Sequence, residues 1–243
     1  MTIPDFVHDD LAALEITLDE EQLARLADYL GRILDANKRM NLTAIREPDA
    51  AWRRLIVDSL SVLPGIDSLV SATGSTVKVV DIGSGAGLPG MPIAIARPDV
   101  AVTMLETTGK KAEFIRGCLE GLGLTNAQVL QTRAETAGQD IAHRGKYDAA
   151  VSRAVGAMSL VLEYSLPLVC EGGRVLAMKG PRVEQELDEA GDALEKLGAG
   201  ELAVIEAYPE SFENDLVIVS IIKERPTPKA YPRLPGVPKK QPL

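Results

Sequence analysis

Val77-Lys78-Val79-Val80-Asp81-Ile82-Gly83-Ser84-Gly85-Ala86-Gly87-Leu88-Pro89-Gly90 decides the fold of this 243-residue chain. A β-branched run ends in an aspartate, glycines follow at every second position, and a helical pattern opens with Pro89 in its first turn. A strand feeding a glycine turn and then a helix N-terminus makes a concave site lined with backbone N–H groups. Glycine is needed there because a Cβ would block the close approach of backbone and ligand. The stretch therefore predicts a nucleotide-like cofactor.

Outward from it, strands and helices alternate. Strands are expected at 77–81, 101–106, 127–131, 147–152, 173–179, 202–207 and 216–222. Helices are expected at 88–97, 109–122, 157–169 and 182–197. Strands separated by helices imply βαβ units and a largely parallel sheet. Only a polar stretch, Pro209 to Asp215, separates the last two strands, which predicts an antiparallel hairpin at the sheet edge. The sum is an α/β fold with a seven-stranded, doubly wound, Rossmann-like sheet. Before it, 18–37 and 49–63 carry leucines and isoleucines at helical spacing, with Asp19 placed to cap the first of them. Trp52 reads as a packing residue between these helices and the sheet. Pro64-Gly65 through Gly74-Ser75 reads as the join. The organisation is thus a helical region (1–75), a cofactor-binding domain (76–223) and a tail (224–243). Six prolines after Lys223 make that tail extended.

Apolar residues make up 46% and charged residues 25% of the chain, as in soluble globular proteins. No apolar run approaches the ~18 residues of a membrane span, and acids stand where a secretory signal carries lysine or arginine. A cytoplasmic protein is expected, with Cys118 and Cys170 reduced. No metal is expected, because His8 and His143 make no ligand spacing with the cysteines. The net charge of −9 argues against indiscriminate nucleic-acid binding, yet its distribution is uneven. Residues 1–24 hold seven acids and no lysine or arginine, whereas 223–243 hold six bases against one acid. A polyanion held at specific patches and a solvated tail both fit this pattern.

Two readings of the glycine turn compete. Gly85 to Gly90 matches the dinucleotide fingerprint G-x-G-x-x-G, but that fingerprint starts at the strand end, and here Asp81 to Ser84 intervene. The phrasing Asp81-x-Gly83-x-Gly85-x-Gly87 resembles class I S-adenosylmethionine-dependent methyltransferases. In such a site Asp81 would position the donor's ammonium, and the exposed N–H groups would take its carboxylate. Glu106, at the end of the next strand, can accept from two ribose hydroxyls. After the third strand, Thr132-Arg133-Ala134-Glu135 offers a backbone group and a carboxylate for an adenine edge. A nicotinamide-dependent oxidoreductase and a non-catalytic RNA-binding module remain the alternatives.

Asn41-Leu42-Thr43, Asp58-Ser59, Asp81 to Pro92, Gly109-Lys110-Lys111, Arg133-Ala134-Glu135, Ser152-Arg153-Ala154 and Lys179-Gly180 occur in that order. Together they resemble the RsmG (GidB) family, over roughly residues 20 to 243. The Tyr231-Pro232-Arg233 to Pro238-Lys239-Lys240 tail is similar too. The resemblance implies methylation of guanine N7 in small-subunit ribosomal RNA, with S-adenosylmethionine as cofactor. It implies that Gly83, Leu88, Ala134, Glu135 and Arg153 lie at or beside that cofactor. Members often carry a histidine three residues before the Asp-Ser pair; here Leu55 stands in its place.

The expected donor-binding set is Asp81, Gly83, Gly85, Gly87, Leu88, Glu106, Ala134, Glu135 and Arg153. Arg153 is also the expected catalytic residue, positioning base or phosphate; the competing reading is a structural arginine paired with Asp81 or Asp148. Candidate RNA contacts are Asn41, Arg53, Arg54, Lys110, Lys111, Lys179, Arg233, Lys239 and Lys240. Asn41 reads equally as a turn residue. Lys110 and Lys111 open a helix, where the dipole disfavours cations; phosphate contact and plain solvation both account for them. Aromatics are only 4% of the chain, so recognition should rest on phosphate contacts, shape and one extruded base. A monomer acting on the small ribosomal subunit or its RNA is expected.

Overall fold

The structure, a computed structural model, describes residues 1–243 apart from 75, 207, 209–211 and 213–215. Its centre is a seven-stranded sheet in the order β3-β2-β1-β4-β5-β7-β6. The strands are β1 (Lys78–Ile82), β2 (Ala101–Leu105), β3 (Ala127–Leu130), β4 (Tyr147–Arg153), β5 (Val169–Lys179), β6 (Ala199–Ile205) and β7 (Val217–Lys223). β1 to β5 run parallel, and β7 lies antiparallel to both β5 and β6. All seven expected strands are present, and the terminal pair is antiparallel as expected. Most of the Pro209–Asp215 connection lies outside the described residues.

The helices are α1 (Asp5–Ala13), α2 (Glu20–Met40), α3 (Pro48–Ala51), α4 (Asp58–Leu60), α5 (Leu63–Thr73), α6 (Gly90–Ala96), α7 (Gly109–Gly121), α8 (Ala134–Gln139), α9 (Met158–Ser165), α10 (Val183–Asp188), α11 (Gly191–Leu197) and α12 (Val237–Lys240). A π-helical segment, Trp52–Val57, joins α3 to α4. Such segments gather at functional sites. Asp19 caps α2 as expected: its side chain accepts from Gln22 N, and the Gln22 side chain reciprocates in a capping box.

Side chains alternate across the sheet. Val79, Met104, Val151, Leu176 and Ile218 face one core, which they share with α2, α6, α7 and the helices before β1. Val80, Leu105, Ala150, Val175 and Val219 face the other, beneath α8, α9 and α11. Asp81 has the parity of Val79 and therefore lies under the first layer. Trp52 is fully buried there, with Nε1 donating to Thr2 O.

Two expectations, the join and the tail, need correction, and one helix was not anticipated. The supposed join at 64–75 is mostly helix: α5 ends only at Thr73, with Pro64 in its first turn, where a missing N–H costs nothing. The polar first eighteen residues contain α1, because Val7, Leu11, Leu14 and Ile16 recur on one face and are buried. The tail is not uniformly extended. It folds back over α8 and α9 and ends in a helical turn, α12, because its carbonyls find a cation. Arg144 donates to Gly138 O, Tyr231 O and Thr227 O, each at 2.7 Å, and to Pro228 O at 3.1 Å. Arg233 forms a bidentate pair with Glu163, whose side chain is 1% exposed.

Arg144→Ala removes one clasp while leaving both cores intact. It is expected to cost about 2–3 kcal/mol locally and to raise tryptic cleavage after Lys229 and Arg233 by tenfold or more. Limited proteolysis followed by mass spectrometry reads the cut sites.

Candidate functional site

The carboxyl ends of β1, β2, β3 and β4 meet at one edge of the sheet. Between β1 and β4 the chain order reverses, and that crevice is where ligands sit in open α/β sheets. The elbow after β1 forms one side of it. Gly83, Gly85 and Gly87 have φ of 70°, 60° and 97°. These values favour glycine, but their surroundings differ. A Cβ at Gly87 would lie 2.7 Å from Met91 Cγ and 3.0 Å from Tyr29 Oη, and one at Gly90 2.5 Å from Met104 Cγ. Those glycines serve packing. A Cβ at Gly85 would meet nothing nearer than Gly83 O at 3.9 Å, and one at Gly83 nothing nearer than Val155 Cγ2 at 3.5 Å. Gly83 and Gly85 therefore leave an open floor. The G-x-G-x-x-G span from 85 to 90 is mostly buried packing, which removes the footing of the dinucleotide reading.

The N–H groups of the elbow turn inward, contrary to expectation. Ser84 N donates to Leu105 O, Gly85 N to Glu106 Oε2, and Gly87 N and Leu88 N both to Ser84 O. Left-handed glycines at alternate positions curl the backbone, so its donors find partners within the turn and at the end of β2. Two further groups brace it. Tyr29 Oη, from α2, donates to Ala86 O at 2.7 Å. Asp81 Oδ2 accepts from Gly90 N at 3.0 Å, at the start of α6. Tyr29 escaped the sequence reading; its signal is a hydroxyl within the buried Leu26-Leu30-Ile33 face, where a polar tip must find a partner.

Asp81 is wholly buried, and its Oδ1 has no hydrogen-bond partner among the described residues. Burial pushes its carboxyl up to about 7, with Glu106 adding to the rise, against lowering by Ser84, Gly90 N–H and Arg153. Glu106 is buried as well, its second oxygen accepting from Thr108 N at 2.6 Å.

At the end of β4, Arg153 takes neither expected structural partner. Its Nη1 donates to Asp58 Oδ2 and to Arg54 O, both at 2.7 Å. Asp148 instead accepts from Lys78 N. Arg153 thereby ties the β4 end to the π-helical segment and α4. Burial raises Asp58, and Arg153 and the Tyr208 hydroxyl oppose that rise. Leu55, the residue in the place of the histidine, is buried and accepts at its carbonyl from Ser59 Oγ. Beyond Arg153 the backbone is contorted, with φ of 54° at Ala154 and 154° at Gly156. A non-glycine residue in the left-handed region marks strain of the kind held at ligand sites.

On the far side of β4 lies a cleft of about 360 Å³ between the ends of β4 and β5 and α10. Val155 lines this cleft, and its Cγ2 stands 3.5 Å from where a Cβ at Gly83 would lie, so cleft and elbow adjoin.

Several predicted residues are engaged elsewhere. Glu135 is buried, and its Oε1 accepts from Gly236 N at 2.9 Å and from Tyr164 Oη at 3.4 Å, so its carboxylate faces the tail rather than an adenine edge. Lys179 is buried, with Nζ donating to Gly156 O and Glu186 Oε2. Arg53 pairs with Asp10 and lies over the Phe6 ring. Arg233 belongs to Glu163. These cations are matched within the fold, which removes them as free RNA contacts. Asn41 is exposed in a left-handed conformation at the end of α2. Arg54, Lys110, Lys239 and Lys240 are exposed, and Lys111 is half-buried.

The model of the GidB family, rRNA small subunit methyltransferase G, matches residues 22–213. The chain belongs to this family. It is 41% identical to ribosomal RNA small subunit methyltransferase G of Moorella thermoacetica, over 94% of this chain and 93% of the relative. The corresponding protein of Sorangium cellulosum is also 41% identical, over 96% and 92%. Among solved structures, a putative S-adenosyl-L-methionine-dependent methyltransferase from Methanococcus maripaludis shares the fold, with a TM-score of 0.53 and 13% identity over 82% of this chain and 93% of that one. Among the described residues, no helix is long and apolar enough to cross a membrane.

The raised Asp81 carboxyl has a consequence for stability. The folded chain keeps this proton up to about pH 7, whereas an unfolded chain releases it near pH 4. Stability therefore falls as pH rises between those values. Relative to wild type, Asp81→Asn is expected to gain on the order of a few kcal/mol across that window. Urea midpoints measured from pH 4 to 8 read the difference.

Proposed function

We propose that the chain transfers a methyl group from S-adenosylmethionine to N7 of one guanine in small-subunit ribosomal RNA. The observation that carries this is the open elbow at the switch point, with an unpartnered Asp81 oxygen at its base and a cleft beside it, in a chain of this family. The donor set fits. Gly83 and Gly85 give an uncluttered floor, Glu106 retains lone pairs for ribose hydroxyls beside its two backbone bonds, and Asp81, buried beneath the elbow, sets a carboxyl behind the place of the ammonium. Leu88 and Ala134 stay in the proposed lining, and Gly87 supports it from behind. Bound there, the donor supplies an electrophilic methyl on a sulfonium.

Guanine N7 carries an in-plane lone pair and no proton. The N7–C bond forms as the C–S bond breaks, the electron pair leaves on sulfur, and the positive charge passes to the purine. No general base is needed. The protein's work is positioning, which can supply roughly 7–11 kcal/mol. Arg153 is held by Asp58 and Arg54 O at the junction of elbow, cleft and helical layer. There it orders the acceptor strand relative to the donor. Arg54, Lys110, Lys111, Lys239, Lys240 and Asn41 supply contacts to the RNA, which is drawn from the ribosomal subunit in the cytoplasm. The protein acts as a monomer, with the helical region (1–75) and the tail (224–243) flanking the methyltransferase domain (76–223).

The test is transfer from labelled donor to small ribosomal subunits lacking the native modification, followed by mapping of the methylated base. Methylation elsewhere, or none with folded protein, overturns the reading. Arg153→Ala is expected to lower kcat about 100-fold, with donor binding by calorimetry within a few fold of wild type. Unchanged turnover removes it from the site. Lys110→Ala and Lys111→Ala are each expected to flatten the salt dependence of RNA binding by about one unit of slope.

A further inference from the structure

The cleft beside the elbow holds a carboxylate that the transfer reaction itself does not require. Glu186, on α10, lines the cleft, and Lys179 from the end of β5 holds it in place. Lys179 is fixed in turn by Gly156 O, at the contorted turn after β4. The Lys179 side chain is 7% exposed and that of Glu186 19%, so this ion pair is largely withdrawn from water. Lys179 Nζ takes Glu186 Oε2; the carboxylate keeps further lone pairs, Oε1 among them. Glu189 lines the rim of the same cleft but differs, being exposed and accepting from the Gln185 side chain.

We infer that Glu186 reads the acceptor base, accepting from N1–H and the 2-amino group of guanine. This rests on the proposed methylation of guanine N7 and deepens it. A carboxylate is acceptor-only, and guanine's N1/N2 edge presents two adjacent donors, so the two match bidentately. Adenine presents a lone pair at N1 and no 2-amino group, so the same carboxylate repels it. N7 lies on the opposite edge of the purine. A base gripped at N1 and N2 by Glu186 turns N7 away from α10, and Val155 connects the cleft to the open side of Gly83 where the methyl donor is proposed to sit. The positive charge that reaches the purine on methylation strengthens both bonds to the carboxylate, so this contact gains in the transition state. Lys179 then has a defined task in place of RNA backbone binding: it keeps Glu186 aimed.

The experiment compares methyl transfer to synthetic small-subunit RNA carrying guanine or inosine at the methylated position. Inosine keeps N7, O6 and N1–H but lacks the 2-amino group. Wild type is expected to prefer guanine by tenfold or more in kcat/KM. Glu186→Gln is expected to lose about 100-fold on guanine RNA and to bring the guanine-to-inosine ratio within threefold, with donor binding close to wild type. Glu186→Asp, which keeps the charge, should retain the preference at reduced rate, and Glu189→Gln should match wild type. A ratio unchanged in Glu186→Gln, or no preference in wild type, overturns the inference and leaves the methylation reading standing. Failure of wild type to methylate the guanine RNA overturns the methylation reading itself.

Discussion

The elbow after β1 is fixed by hydrogen bonds from above, below and beside it. Tyr29 holds Ala86 O from α2, Asp81 holds the first N–H of α6, and Glu106 holds Gly85 N from the end of β2. Three left-handed glycines at alternate positions would otherwise be an entropically costly part of the chain to order. Preorganising them makes an open floor compatible with a rigid one. Isolating Asp81 from water is part of the same arrangement. A carboxyl with one satisfied oxygen and one orphan is expensive to bury.

The junction at Arg153 extends the logic across layers. A single guanidinium joins the last residue of β4 to the π-helical segment and α4. The sheet edge therefore cannot shift without disturbing the helical layer. The strained turn at Ala154 follows directly, and its Gly156 carbonyl anchors Lys179. Elbow, arginine and cleft form one connected structure, built from residues more than 120 positions apart in sequence.

Much of this was legible in the chain. Strand periodicity and the glycine spacing gave the sheet, its parallel half and the location of the elbow. What sequence could not reveal is which polar groups the fold consumes. Arg53, Lys179 and Arg233 read as free cations because their acidic partners lie 7 to 70 residues away. Glu135 looked like a ligand to the cofactor because nothing local announces a bond to Gly236 N, 101 residues later. Short helices with little periodicity, such as α8, fell below what a pattern can resolve. Proline counting misjudged the tail, because a clasp such as Arg144 is invisible until the chain has folded. The inward turn of the N–H groups is likewise a property of backbone conformation, which glycine permits and does not dictate.

The internal matching of cations also shapes how a partner approaches. Lys223 donates to Leu166 O and Val169 O inside the fold, and Arg53, Lys179 and Arg233 are paired with acids, so these four cations are spent internally on a molecule of net charge −9. A polyanion meets net repulsion from the molecule as a whole and attraction near exposed cations such as Arg54, Lys110, Lys239 and Lys240. Long-range fields then act as a filter on encounter orientation. Misaligned collisions are shed before contact, and weak charge, sparsely placed, sets the direction of arrival.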